Sequence, residues 1–130
     1  FDDVDLLLLD IKQFNPEKYE ALTGKPLQPT LDFFERMLRL KKKMWLRYVL
    51  VPGYTDDEQD VAGLANYIAE LNRQFPDLIE RVEVLPFHKM GEDKWAELGM
   101  KYELTATRLP SPELVHRVRE QFRAQGLFCC

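Results

Sequence analysis

The chain has 130 residues, of which 45% are hydrophobic and 31% charged, a balance that excludes a disordered or low-complexity segment. Eighteen basic against 22 acidic residues give a net charge of -4, which argues against a nucleic-acid binder with its usual basic face. The apolar runs are short, Leu6-Leu7-Leu8-Leu9 among them, so no membrane span is expected. Nothing in the opening residues reads as a secretory leader, and a cytoplasmic location is expected. The two cysteines, Cys129 and Cys130, are adjacent. That spacing suits neither a disulfide framework nor a C-x2-C metal site, and a reduced tail is the plain reading.

The first predicted element is a strand over residues 4–12. Its leucine run reads as a strand buried on both faces, the kind found inside parallel sheets. Such a strand among the first residues implies a neighbour upstream, so the chain is expected to be part of a larger fold. Asn15-Pro16-Glu17 begins a loop and a short helical turn, which Thr23-Gly24-Lys25-Pro26 breaks. Thr30 is the expected N-cap of a helix over residues 31–43, with Phe33, Phe34, Met37, Leu38 and Leu40 as its apolar stripe. Lys41-Lys42-Lys43 is expected in its last turn, where cations suit the helix dipole.

Residues 44–51 form the second predicted strand, stopped by Pro52-Gly53. Thr55 with Glu58 three residues on reads as a capping box for a helix reaching about residue 75. The third strand is expected over residues 81–87. A loop from His88 to about Pro110 follows, with a short helix near residues 94–99. Ser111, Pro112 and Glu113 open a last helix over residues 112–125, closed by Gly126, and Leu127-Phe128 begins a short extended segment.

Strand and helix alternate three times, the pattern of a parallel α/β sheet with outer helices. The chain is expected to be one partial domain of three βα units. Three units fit half of a barrel or half of an open doubly wound sheet. Alternation places Asp10 and Lys12 on one face of the first strand with Leu6 and Leu8. Arg47 shares a face with Trp45 and Val49, and His88 with Val82, Val84 and Pro86. An acid, an amine, a guanidinium and an imidazole are thus offered near the ends of parallel strands, where α/β folds bind ligands.

Each has a plainer reading. Asp10 and Lys12 could be a surface pair of little energetic weight. Arg47 lies mid-strand between Leu46 and Tyr48 and needs a carboxylate partner or a ligand. His88 could be a satisfied loop histidine, and His116 reads as surface. Asp56-Asp57-Glu58 and Glu92-Asp93 could recruit a metal, but first-turn acids ordinarily complement a helix dipole. No dinucleotide fingerprint, Walker loop, H-x-x-x-H, C-x-x-C or serine elbow is present.

Three stretches go further. Leu9-Asp10-Ile11-Lys12, then Trp45-Leu46-Arg47-Tyr48-Val49-Leu50-Val51-Pro52-Gly53-Tyr54-Thr55-Asp56-Asp57, and Val84-Leu85-Pro86-Phe87-His88 together resemble the pyruvate formate-lyase activating enzymes. Lys94-Trp95, Gly99 and Tyr102 continue the match. These are glycyl-radical-enzyme activases of the radical S-adenosylmethionine superfamily. The resemblance covers essentially the whole chain and is to the C-terminal half of the family. It implies part of a partial (β/α)6 barrel of the TIM-like kind. The family's C-x3-C-x2-C motif, which ligates a [4Fe-4S] cluster, has no counterpart here, nor has its Gly-rich segment that holds the methionyl amine. This chain alone is therefore expected to be inactive.

The resemblance also implies residue roles. Asp10 matches the aspartate near the ribose hydroxyls of S-adenosylmethionine and beside a monovalent cation. Lys12 matches the lysine facing the methionyl carboxylate, and His88 the histidine at the nucleoside. Arg47 matches the arginine on the barrel wall near substrate and cofactor. None acts as a general acid or base. In the complete enzyme, a reduced cluster passes an electron to S-adenosylmethionine, and the resulting 5′-deoxyadenosyl radical takes a hydrogen from a glycine of the partner. Pyruvate formate-lyase or a related glycyl radical enzyme is the implied partner, with a flavodoxin-type or ferredoxin-type electron donor. The segment Thr23-Gly24-Lys25-Pro26-Leu27-Gln28-Pro29 departs from the family's commoner loop, which bears on any partner-docking role there. Two alternatives stay open: an activase of a different glycyl radical enzyme, and a non-catalytic half-barrel binding protein.

Overall fold

The computed structural model describes residues 6–86 and 110–130. Seven elements follow one another: β1 (Leu7–Asp10), α1 (Pro16–Thr23), α2 (Gln28–Arg39), β2 (Met44–Leu50), α3 (Glu58–Gln74), β3 (Ile79–Pro86) and α4 (Pro112–Arg123). The strands form one parallel sheet in the order β1-β2-β3. A fourth strip joins its edge, where Val82 donates to Phe128 O at 2.8 Å and Val84 to Cys130 O at 2.9 Å. The expected extended segment after Gly126 is this strip, running parallel to β3.

Helices α2, α3 and α4 pack on one face of the sheet. Leu7, Leu9 and Ile11 reach it from the first strand and the residue after it. Met44, Leu46, Tyr48 and Leu50 from β2, and Val82 and Val84 from β3, are each at most 1% exposed. Phe34, Met37 and Leu38 of α2, Val61, Leu64, Ala65 and Ile68 of α3, and Val115, Val118 and Phe122 of α4 close over them. The Tyr48 and Phe122 rings meet edge-on at 6.0 Å. Strand alternation and helical spacing thus converge on one core, as a βα unit requires.

The other face has no helix over it among the described residues. It carries Leu8 and Asp10 from β1, Trp45, Arg47 and Val49 from β2, and Arg81, Glu83 and Leu85 from β3. Leu8 is 52% exposed and Leu85 36%. The leucine run is therefore buried on one face only within this structure, where the sequence suggests burial on both. Purely parallel sheets ordinarily have both faces covered, and among the described residues helices cover one face of this one.

Several helix starts differ from their sequence-based assignment. The capping residue of α3 is Asp57, whose side chain accepts from Gln59 N and Asp60 N, not Thr55. Thr55 is fully buried and serves the backbone of β2 instead. Helix α2 starts at Gln28, with Pro29 in its first turn, and Thr30 pairs with the Tyr19 hydroxyl at 3.0 Å. It ends at Arg39, so Lys41-Lys42-Lys43 lies beyond the helix, and Lys41 takes a left-handed turn at φ 60°. Ser111 caps α4 as expected, accepting from Leu114 N.

Candidate functional site

The register of the sheet builds the site. Asp10 stands opposite Arg47, and Arg47 opposite Glu83, so one row of three charges crosses the uncovered face. The row lies at the C-terminal end of β1 and in the middle of β2 and β3. Arg47 Nε donates to Asp10 Oδ1 at 2.6 Å, with the two side chains 36% and 27% exposed. Arg47 thus has the carboxylate partner that its mid-strand place demanded. Its two terminal guanidinium nitrogens and the second Asp10 oxygen make no other bond among the described residues. One row toward the N-terminal ends, the Arg81 guanidinium lies 4.1 Å from the centre of the Trp45 ring.

Lys12 lies two residues beyond Asp10, past the end of β1, and is half-buried, with no ion pair among the described residues. Asp10 and Lys12 do not pair with one another; Asp10 pairs with Arg47. His88 lies outside the described residues, as do Glu92, Asp93, Lys94, Trp95, Gly99 and Tyr102. On β3, the face through Val82 and Val84, to which the sequence phasing attached His88, is the helix-packed one. The residue of β3 that shares the Arg47 face is Glu83. Sequence reading passed over it, although a charge between Val82 and Val84 is the same signal that singled out Arg47. His116 is exposed, as expected of a surface residue.

The loops after the first two strands are locked together by Gln13, which is fully buried. Its Oε1 accepts from Phe14 N at 2.7 Å and Asn15 N at 3.2 Å, while its Nε2 donates to Tyr54 O at 2.8 Å. Thr55 anchors the second loop from inside: Oγ1 donates to Val49 O and accepts from Val51 N. The Tyr48 hydroxyl donates to Thr55 O at 2.6 Å, and burial raises its pKa above the ordinary tyrosine value. Buried polar groups satisfied in this way fix loop positions rather than react. From α4, Arg117 Nη2 reaches Asp56 O at 2.6 Å and Arg119 Nη2 reaches Val84 O at 3.1 Å, so the ends of β2's loop and of β3 are tied to one helix.

The donor set accommodates the implied groups unequally. A half-open carboxylate beside a guanidinium with free donors, near an amine, suits a ligand carrying hydroxyls and a carboxylate. A [4Fe-4S] cluster needs several thiolates, and no group of three or more His, Cys, Asp or Glu side chains converges among the described residues. Cys129 is buried beside β3, and burial pushes its thiol up to about 11, away from the thiolate form. A monovalent cation beside Asp10 would find one free carboxylate oxygen and no converging ligand group among the described residues. Asp56 and Asp57 join no group of three such side chains among the described residues. Asp56 accepts from Gly53 N, and the Asp57 carboxyl is lowered from its ordinary value mainly by the Asp60 backbone N–H it accepts. No helix among the described residues is long and apolar enough to cross a membrane.

No family profile matches the chain. Sequence comparison finds pyruvate formate-lyase-activating enzymes of Staphylococcus aureus, strains USA300 and NCTC 8325 among them, 42% identical over 111 residues. That stretch is 85% of this chain and 42% of the relative, so the chain spans less than half the length of the curated relatives it matches. Among solved structures, a domain of a pyruvate-formate lyase-activating enzyme from Bacteroides vulgatus superposes with a TM-score of 0.74 at 21% identity, covering 99% of this chain and 68% of that one. A radical SAM methyltransferase from Sphaerobacter thermophilus superposes at 0.64 and 18% identity, covering 95% of this chain and 32% of that one. At those identities the two structures speak for the fold, a parallel α/β arrangement with outer helices. By sequence, the chain is similar over most of its length to a part of the pyruvate formate-lyase-activating enzymes of Staphylococcus aureus.

Proposed function

We propose that this chain is the C-terminal half of a pyruvate formate-lyase-activating enzyme, and that its open sheet face contributes binding residues for S-adenosylmethionine. The observation that carries the reading is the Asp10–Arg47 pair, set in register on the uncovered face of a parallel sheet. In this reading the free Asp10 oxygen accepts from the ribose hydroxyls, Lys12 faces the methionyl carboxylate, and His88 borders the nucleoside. Arg47 is held by Asp10 with its terminal nitrogens turned to the ligand or to the polypeptide substrate. When bound, S-adenosylmethionine supplies the sulfonium bond whose reductive cleavage drives hydrogen abstraction. This chain's share is orientation and exclusion of water.

The thiolates for a [4Fe-4S] cluster would come from a segment other than this one, and the chain alone would be inactive. The polypeptide substrate is pyruvate formate-lyase or a related glycyl radical enzyme, the electron donor is of the flavodoxin or ferredoxin type, and the site of action is the cytoplasm. Calorimetric titration of S-adenosylmethionine into the full-length protein tests the reading. Asp10→Asn and Lys12→Ala should each weaken binding by about tenfold or more, the worth of a charge-assisted bond. Affinity unchanged in both variants would remove this face from the binding site.

A further inference from the structure

The uncovered face carries one carboxylate that the reading above does not use. Glu83 stands directly opposite Arg47, on the side away from Asp10. Neighbouring strands run about 4.8 Å apart, and in-register side chains leave the sheet on the same face. Side chains of β2 and β3 do meet on this face, because one row away Arg81 lies over Trp45. Yet Glu83 makes no ion pair among the described residues. Arg47 leans to Asp10 at 2.6 Å, and Arg81 stacks on Trp45 at 4.1 Å. Asp10 and Arg47 neutralise each other, so Glu83 leaves the row with an excess negative charge. A half-buried carboxylate without a partner is unfavourable unless water or a cationic group faces it.

We infer that Glu83 is a specificity-determining residue of this site, its carboxylate favouring a ligand with a positive charge on sulfur over the corresponding neutral, demethylated thioether. The inference rests on the S-adenosylmethionine reading and deepens it. The Asp10–Arg47 pair and Lys12 serve hydroxyls and a carboxylate, which the sulfonium compound and its thioether counterpart, S-adenosylhomocysteine, share. The two ligands differ at sulfur alone, where the sulfonium compound carries one more methyl group and a positive charge. An unpaired carboxylate on the same face distinguishes them by Coulomb attraction, which a neutral side chain of the same size cannot do.

Both compounds should be titrated calorimetrically into the full-length protein and its Glu83→Gln and Glu83→Asp variants. Glu83→Gln should weaken the sulfonium ligand about tenfold and leave the thioether within about twofold, while Glu83→Asp, which keeps the charge, should retain the preference. The thermal midpoint of the Gln variant should stay close to that of the parent, because Glu83 has no ion pair to lose among the described residues. Equal weakening of both ligands by Glu83→Gln, or no weakening of either, overturns the inference and leaves the S-adenosylmethionine reading standing. A parent protein that binds neither compound overturns that reading, and this inference with it.

Discussion

The two faces of this sheet are made from alternate residues of the same three strands, and they have opposite physical characters. On the helix side, Leu46, Tyr48, Val82 and Val84 are sealed beneath α2, α3 and α4. On the other side, Asp10, Arg47 and Glu83 form a charged row flanked by exposed Leu8 and Leu85. One face supplies folding free energy through apolar burial. The other keeps bonding capacity unspent: among the described residues Arg47 bonds through its Nε alone and Glu83 makes no ion pair. The contrast shows how a βα unit separates stability from recognition at a spacing of a single residue.

The largest effect should come from the sealed face. Phe122→Ala removes a fully buried ring from beneath Tyr48 and should cost about 3–5 kcal/mol in chemical denaturation, because the cavity cannot fully collapse. A loss below 1 kcal/mol would mean that α4 is not firmly docked. Next, Thr55→Val keeps the shape but strands Val51 N–H and Val49 C=O in the interior, and about 1–3 kcal/mol should be lost. The same variant should speed hydrogen exchange at Val51, whose amide Thr55 holds at 2.7 Å.

The smallest effect should come from the open face, and it sharpens the comparison most. Leu8→Ser in the 130-residue chain should change stability by no more than about 0.5 kcal/mol, as befits a half-exposed side chain. In the full-length protein the proposal puts further strands around this face, and there the same substitution should cost about 2 kcal/mol or more. Equal small effects in both would mean that nothing covers Leu8, which would break the proposed barrel. Both arms are read as denaturant midpoints with unchanged slopes.

Much of the fold was legible along the chain because its signals are local. The leucine run, the 44–51 strand bounded by Pro52-Gly53, and the stripe of α3 follow from periodicity and breakers. Caps were less legible. Thr55 and Asp57 are both chemically competent N-caps, and burial against β2 drew Thr55 away from the helix. The site was half legible. Arg47 announced itself as a charge inside an apolar strand, but its partner is 37 residues away and no spacing rule names it. Glu83 carried the same signal and was passed over because the phase of the third strand was anchored on His88. Gln13 gave no signal at all, since its role depends on Tyr54 lying beside it.

By itself, the sequence determined the parallel α/β class, the positions of the strands to within a few residues, and the similarity to the activating enzymes. Those properties depend on neighbours along the chain, or on residue identity alone. Tertiary structure decided which face of the sheet the helices cover, that Asp10 belongs to Arg47 and not to Lys12, and that Glu83 completes their row. The physical reason is register: parallel strands joined by crossovers meet according to how the intervening helices pack, and no local rule along the chain contains that information.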